Sequence, residues 1–80
     1  MAVSVRYFAA ASTAAGRDED TTDEGTLGDL IDRMTEQYGD AMSKILDASS
    51  FLVDGVSTYE RDAVIKDGQQ LDVLPPFAGG

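Results

Sequence analysis

Chemistry on this chain has to be done with few tools. The sequence contains neither cysteine nor histidine, which removes the usual general base, the commonest metal ligand and the best nucleophile together. Carboxylates, hydroxyls and two lysines, Lys44 and Lys66, remain. Among them the most distinctive stretch is the end, "LDVLPPFAGG", residues 71–80. Pro75 and Pro76 stiffen an extended exit, and Gly79 and Gly80 lack a β-carbon, so they fit a channel that admits only backbone. The last six residues reach roughly 20 Å when extended. A carboxylate on Gly80, with a pKa of about 3.5, is ionised at neutral pH and can attack the α-phosphate of ATP in a partner's site. The acyl adenylate that results is a mixed anhydride, open to a sulfur or amine nucleophile. The reactive group would then sit on Gly80 and the catalytic groups elsewhere.

Other candidates carry less. The acidic run "RDEDTTDEG" invites a calcium reading, but an EF-hand loop begun at Asp18 places Thr22 and Asp23 where an oxygen ligand and glycine are needed. No metal is expected. Carboxylate pairs such as Asp62 with Asp67, or Asp72 with Glu60, could act as acid and base only in an apolar pocket that splits their pKa values. Nothing in the pattern supplies one, and surface solvation is the default reading.

Six basic against fifteen acidic residues give a formal charge of −9. That charge repels nucleic-acid phosphates and anionic membranes and favours a basic partner surface. No stretch approaches the roughly 20 apolar residues of a membrane span, and the start "MAVSVRYFAAAS" has no secretory pattern, so a cytoplasmic location is expected. A chain of 80 residues supports one domain, taken as 1–80 with 75–80 an extended flexible tail.

The elements that would carry this tail can be read from periodicity. Val3, Val5 and Tyr7 alternate with Ser4, Arg6 and Phe8 in a first strand. The stretch from Ala9 to Gly25 reads as loop, with at most a weak edge strand around Asp18–Thr22. Thr26, followed by Asp29, caps a helix whose apolar side is Leu27, Leu30, Ile31, Met34 and Tyr38, and Gly39 ends it. A short second helix is expected at Asp40–Leu46. Asp54-Gly55 between apolar residues marks a hairpin, Val64 and Ile65 a further strand, and Leu71 with Val73 a last strand that the prolines end. The expected fold is α+β, a mixed sheet of four to five strands packed on one main helix. If the first and last strands are neighbours, Val3, Val5, Tyr7, Leu71 and Val73 lie under the helix. Phe8 and Leu74 then form an apolar patch on the opposite face, beside Arg6 and Asp72 and next to the tail.

These residues together resemble the ubiquitin-like sulfur carriers of β-grasp fold, and within them the small subunit of molybdopterin synthase. The resemblance rests on "VRYFAAASTAAG", "TLGDLIDRM", "KDG" and above all "DVLPPFAGG", whose double proline the thiamin-pathway carriers usually lack. It implies a non-catalytic subunit that works in molybdenum cofactor biosynthesis. An ATP-dependent enzyme adenylates Gly80, a sulfur donor converts it to a thiocarboxylate, and the tail delivers sulfur to a pyranopterin precursor in the large catalytic subunit. By the same resemblance Gly79, Ala78, Phe77, Pro76 and Pro75 thread or line the path into that partner, Phe77 being bulkier than the residue many members carry. Phe8 and Leu74 form the partner interface, the assembly is a heterotetramer, and no cofactor is held stably, ATP being used by the activating enzyme. Alternatives are a carrier for cysteine or thiamin synthesis, a ubiquitin-like modifier joined to target lysines, and a plain interaction domain with an inert tail.

Overall fold

The computed structural model describes residues 2–76. In chain order the elements are β1 (Val3–Tyr7), α1 (Ala10–Ala15), β2 (Glu19–Thr22), β3 (Gly25–Thr26), α2 (Leu27–Tyr38), α3 (Asp40–Ala48), β4 (Ser50–Val53), β5 (Val56–Ser57), β6 (Val64–Ile65) and β7 (Gln70–Leu74). The main sheet has five strands in the order β2-β1-β7-β4-β5. Its two central strands are the first and last of the chain, paired in parallel, while every other pairing in the sheet is antiparallel. The mixed α+β sheet expected from the sequence is therefore present.

Strand parity builds the core. Val5 is level with Leu71 and Tyr7 with Val73, and side chains two apart on a strand share a face. Val3, Val5, Tyr7, Leu71 and Val73 are all buried, joined by Leu27, Leu30 and Met34 of α2, by Met42 and Leu46 of α3, and by Phe51 and Ile65. The apolar side read for α2 is the side that packs.

Local signals explain where the elements start and stop. The Thr26 side chain accepts the Asp29 N–H at 3.1 Å, and the Asp29 carboxylate accepts the Thr26 N–H at 3.0 Å, a complete capping box. Two further N–H groups of the first turn, those of Leu27 and Gly28, donate to the carbonyls of Ala63 and Arg61. Gly39, at φ 86°, closes α2 by donating to Thr35 and leads directly into α3. Asp54 and Gly55 both have positive φ, 48° and 83°, the signature of a two-residue type I′ hairpin turn.

Four expectations need adjustment. The segment after β1 is not all loop, because Ala10–Ala15 is a helix. Alanine is the strongest helix former, and with so few large side chains this helix leaves no apolar stripe to read. The edge strand at Glu19–Thr22 forms four residues paired to β1. Finally, β6 does not join the main sheet but pairs with β3 in a separate two-stranded ribbon. The carbonyls just before β6 are engaged at the N-terminus of α2, which holds the segment there. The second helix also runs on to Ala48, two residues past its expected end. Among the described residues no helix is long and apolar enough to cross a membrane.

Two measurements test this architecture. Leu71, fully buried in the central strand, should cost about 3 kcal/mol when replaced by alanine, whereas Leu74→Ala on the other face should cost well under half of that, by urea unfolding of each variant. Secondly, the hydrogen bonds from the Thr26 backbone and hydroxyl region hold the Asp29 carboxyl below the usual carboxylate range. A depressed native pKa contributes stability that is fully present above the unfolded value of about 3.9 and is lost as pH falls through the lower native value. Asp29→Asn should be less stable than the wild type at pH 6, and the difference should shrink below pH 4; an unchanged difference at pH 2.5 would contradict the assignment.

Candidate functional site

The parallel pairing of β1 with β7 decides what surrounds the exit of the chain. Both strands run in one direction, so their C-terminal ends arrive together. Phe8, the residue after β1, donates its N–H to the Val73 carbonyl at 3.2 Å, one step beyond the Tyr7–Val73 pair. Pro75 follows immediately and is buried, while Pro76 is exposed. Pro75 is therefore fixed to the body of the protein, and Pro76 stands at its surface.

The face away from the helices carries Ser4, Arg6 and Phe8 from β1 and its end, Gln70, Asp72 and Leu74 from β7, and Leu52 from β4. Phe8 is 37% exposed, one of four large hydrophobic residues exposed among those described, the others being Val56, Tyr59 and Val64. Leu74 and Leu52 are half-buried. The apolar patch expected from parity is thus present, and Leu52 extends it.

Beneath it lies an ion pair that sequence reasoning missed. The Arg6 guanidinium donates from Nε to Asp72 Oδ1 at 3.0 Å and from Nη2 to Oδ2 at 3.3 Å, and Gln70 Nε2 also donates to Oδ1 at 3.2 Å. Asp72 is the one charged residue among the buried ones described. The Arg6 pKa is raised by this hydrogen bonding first and by the attraction of the Asp72 charge second. The same guanidinium lies 5.3 Å from the Phe8 ring centroid, within reach of a cation–π contact. One arginine thus neutralises a buried carboxylate and supports the exposed aromatic ring. Opposite charges at equal parity on the two strands were the available signal.

A second network fixes the sheet edge. Tyr7, on the core side of β1, donates to Asp20 Oδ2 at 3.0 Å; Tyr38, at the end of α2, donates to the same oxygen; and Arg17 Nη1 pairs with Asp20 Oδ1 at 3.2 Å. The two rings meet edge to face at 6.0 Å. Burial, and then the carboxylate beside them, pushes both phenol pKa values upward, so the hydroxyls stay protonated donors through the physiological range. The acidic segment is otherwise engaged in local bonds: Asp18 accepts from Ser12, Glu24 accepts the Asp67 N–H, and the carbonyls of Asp23 and Glu24 accept from Arg33. No group of three or more potential metal ligands occurs among the described residues.

Of the residues singled out in the sequence, the structure brings Phe8, Leu74, Pro75 and Pro76 together at one end of the sheet. Phe77, Ala78, Gly79 and Gly80 lie outside the described residues. Asp62 and Asp67 are exposed, as is Glu60.

Comparison with known proteins follows from this geometry. Residues 5–80 match the model of the ThiS family. Among curated proteins nothing matches. Among solved structures, SAMP1 from Haloferax volcanii is 22% identical, both chains being covered in full, with a TM-score of 0.83. A putative molybdopterin converting factor, subunit 1, from Pyrococcus furiosus is 26% identical over 95% of this chain and 98% of that one, with a TM-score of 0.78. A chain from the protein–protein complex of subunits 1 and 2 of molybdopterin-converting factor from Helicobacter pylori is 22% identical, covers 100% of both chains and has a TM-score of 0.70. These likenesses bear out the ubiquitin-like β-grasp fold. With the family match running from Val5 through Gly80, the chain belongs to the ThiS family.

Proposed function

We propose that this chain is a sulfur carrier for molybdopterin synthesis, activated at Gly80. The observation that carries the reading is the family match extending through the Gly79-Gly80 end. The patch of exposed Phe8 and half-buried Leu74 beside the root of that end supports it. In this reading the Gly80 carboxylate attacks the α-phosphorus of ATP in an activating enzyme and displaces pyrophosphate. A sulfur donor attacks the glycyl carbonyl, AMP leaves, and Gly80 becomes a thiocarboxylate.

The charged tail then enters the large synthase subunit. Gly79 passes the narrowest part of the channel, Ala78 and Phe77 follow, and Pro76 and Pro75 hold the entry angle. A proline pair suits this work because its φ values are fixed before binding, which lowers the ordering cost of the bound state. Phe8 and Leu74 dock on the partner; the similar Helicobacter pylori structure is itself a complex of subunits 1 and 2 of molybdopterin-converting factor. The net charge of −9 steers the carrier toward basic entrances. The cytoplasm is the compartment that suits this chemistry. A second reading, a ubiquitin-like modifier, is favoured by the similarity to SAMP1, small archaeal modifier protein 1; there a target lysine, in place of the sulfur donor, would attack the activated Gly80. The thiamin and cysteine pathways would use the same tail with a different receiver.

Co-production with the activating enzyme and a sulfur source should yield intact protein heavier by the difference between sulfur and oxygen, by mass spectrometry. Removal of Gly80 should abolish that species and leave the unfolding midpoint unchanged. Unmodified chain alone, or only lysine conjugates, would exclude the carrier reading. On the docking face, Phe8→Asp should leave the fold intact and weaken binding to the large subunit by about tenfold or more, the usual effect of losing a central aromatic anchor. Undiminished affinity in a calorimetric titration would remove Phe8 from the interface.

A further inference from the structure

The main sheet has two outer edges, β2 and β5. β5 is only Val56–Ser57, whereas β2 runs over Glu19–Thr22. Residues opposite each other in an antiparallel pair exchange hydrogen bonds only at alternate positions. The Tyr7 N–H donates to the Asp18 carbonyl at 2.8 Å, which fixes the alternation. With Val5 level with Asp20 and Val3 with Thr22, the backbone groups of Asp18, Asp20 and Thr22 turn toward β1. Those of Glu19 and Thr21 turn outward. Both residues are exposed, and neither backbone bonds to any other segment among the described residues. The N–H and carbonyl groups of two residues therefore stand in line at this edge, as an added strand would need them.

Charge decides what can pair there. The run from Arg17 to Glu24 holds five carboxylates and one arginine, and that arginine is paired with Asp20. Arg6, level with Glu19 on β1, is held by Asp72, and Arg33 of α2 donates to the carbonyls of Asp23 and Glu24. Asp18, Glu19, Asp23 and Glu24 have no ion pair among the described residues. An edge strand lined with one charge resists joining another of the same sign, so a second copy, which would set two such acidic runs side by side, is disfavoured. A purely apolar segment finds no deep socket, because the hollow between β2 and α2, beside Thr21, Leu30 and Met34, is only about 40 Å³. A basic strand gains both the backbone bonds and the uncompensated carboxylates.

We propose that the β2 edge is a docking site for an extended, lysine- or arginine-rich segment of another protein, which adds to the main sheet as a sixth strand along Glu19 and Thr21. In this mode main-chain hydrogen bonds supply the hold and the side chains the selectivity. Basic side chains on the outer face of the added strand meet Glu19, and those at its ends meet Asp18 or Asp23 and Glu24. β2 lies two strands from β7, about 10 Å at the usual spacing, so the segment is held without covering Pro75 or Pro76. The site goes beyond the carrier reading and does not depend on it, since Gly80 has no part in it.

The test uses the full chain, isotopically labelled for amide spectroscopy, and a short peptide that alternates lysine and threonine. Saturating peptide should slow exchange of the Glu19 and Thr21 N–H protons by about tenfold or more and give contacts from peptide α-protons to Thr21. The Asp20 N–H, already turned to β1, should exchange as before. Thr21→Pro, which removes one outward donor at an edge position that tolerates proline, should abolish the protection; Glu19→Lys, which keeps the backbone, should weaken binding several-fold. Raising salt from about 50 mM to about 300 mM should also lower the affinity several-fold, and a peptide alternating glutamate and threonine should not bind. Absence of protection at Glu19 and Thr21 overturns the proposal, whether the lysine peptide fails to bind or collects at other carboxylates such as Asp32 and Asp62. Equal binding of the acidic peptide overturns it as well. So does protection that rises with protein concentration in the absence of peptide, which makes a second copy the occupant.

Discussion

The arrangement depends on one pairing, the parallel register of β1 against β7. It brings the two ends of the chain to the centre of the sheet, where Val5, Tyr7, Leu71 and Val73 complete a core that a chain of this size has little surplus to build. Because both strands run the same way, it also brings Phe8 and Leu74 to the end from which the tail leaves. A slip of one residue would put Arg6 and Asp72 into the core and the valines outside. Stability and the placement of the apolar patch are therefore fixed by the same register.

The two polar networks guard that register from either side. On the outer face, Arg6 gives the buried Asp72 carboxylate a bidentate partner and lies against Phe8. On the inner side of the edge, Asp20 gathers Tyr7, Tyr38 and Arg17, tying β2, β1 and the end of α2 to one carboxylate. Each network is satisfied: no buried side-chain nitrogen or oxygen lacks a partner among the described residues. A buried charge left alone would be costly, so the acidic residues that give the chain its net charge of −9 also supply cross-links.

Much of this was legible in the sequence, for physical reasons. Alternation along Val3–Tyr7 and Leu71–Leu74, the Thr26–Asp29 cap and the Asp54-Gly55 turn are local signals, and each produced the element it announces. The patch of Phe8 and Leu74 followed from parity once the two strands were taken as neighbours. What escaped was either side-chain poor or non-local. The helix at Ala10–Ala15 has no apolar stripe, the partner of β6 depends on carbonyls used by α2, and the Arg6–Asp72 bond joins residues at opposite ends of the chain. The burial of Pro75 likewise depends on where α1 and α3 lie.

On the function proposed above, this fold presents one terminal group to other proteins, with the chemistry at Gly80 and the guidance from Pro75, Pro76, Phe8 and Leu74. The most direct measurement starts from protein prepared with an isotopically labelled sulfur on Gly80. It is mixed, without ATP, with the large subunit of molybdopterin synthase and the cyclic pyranopterin precursor. The account predicts that the label moves into the dithiolene of the product and leaves Gly80 as a carboxylate. Label that stays on the chain, while the large subunit turns over with another carrier, would contradict it.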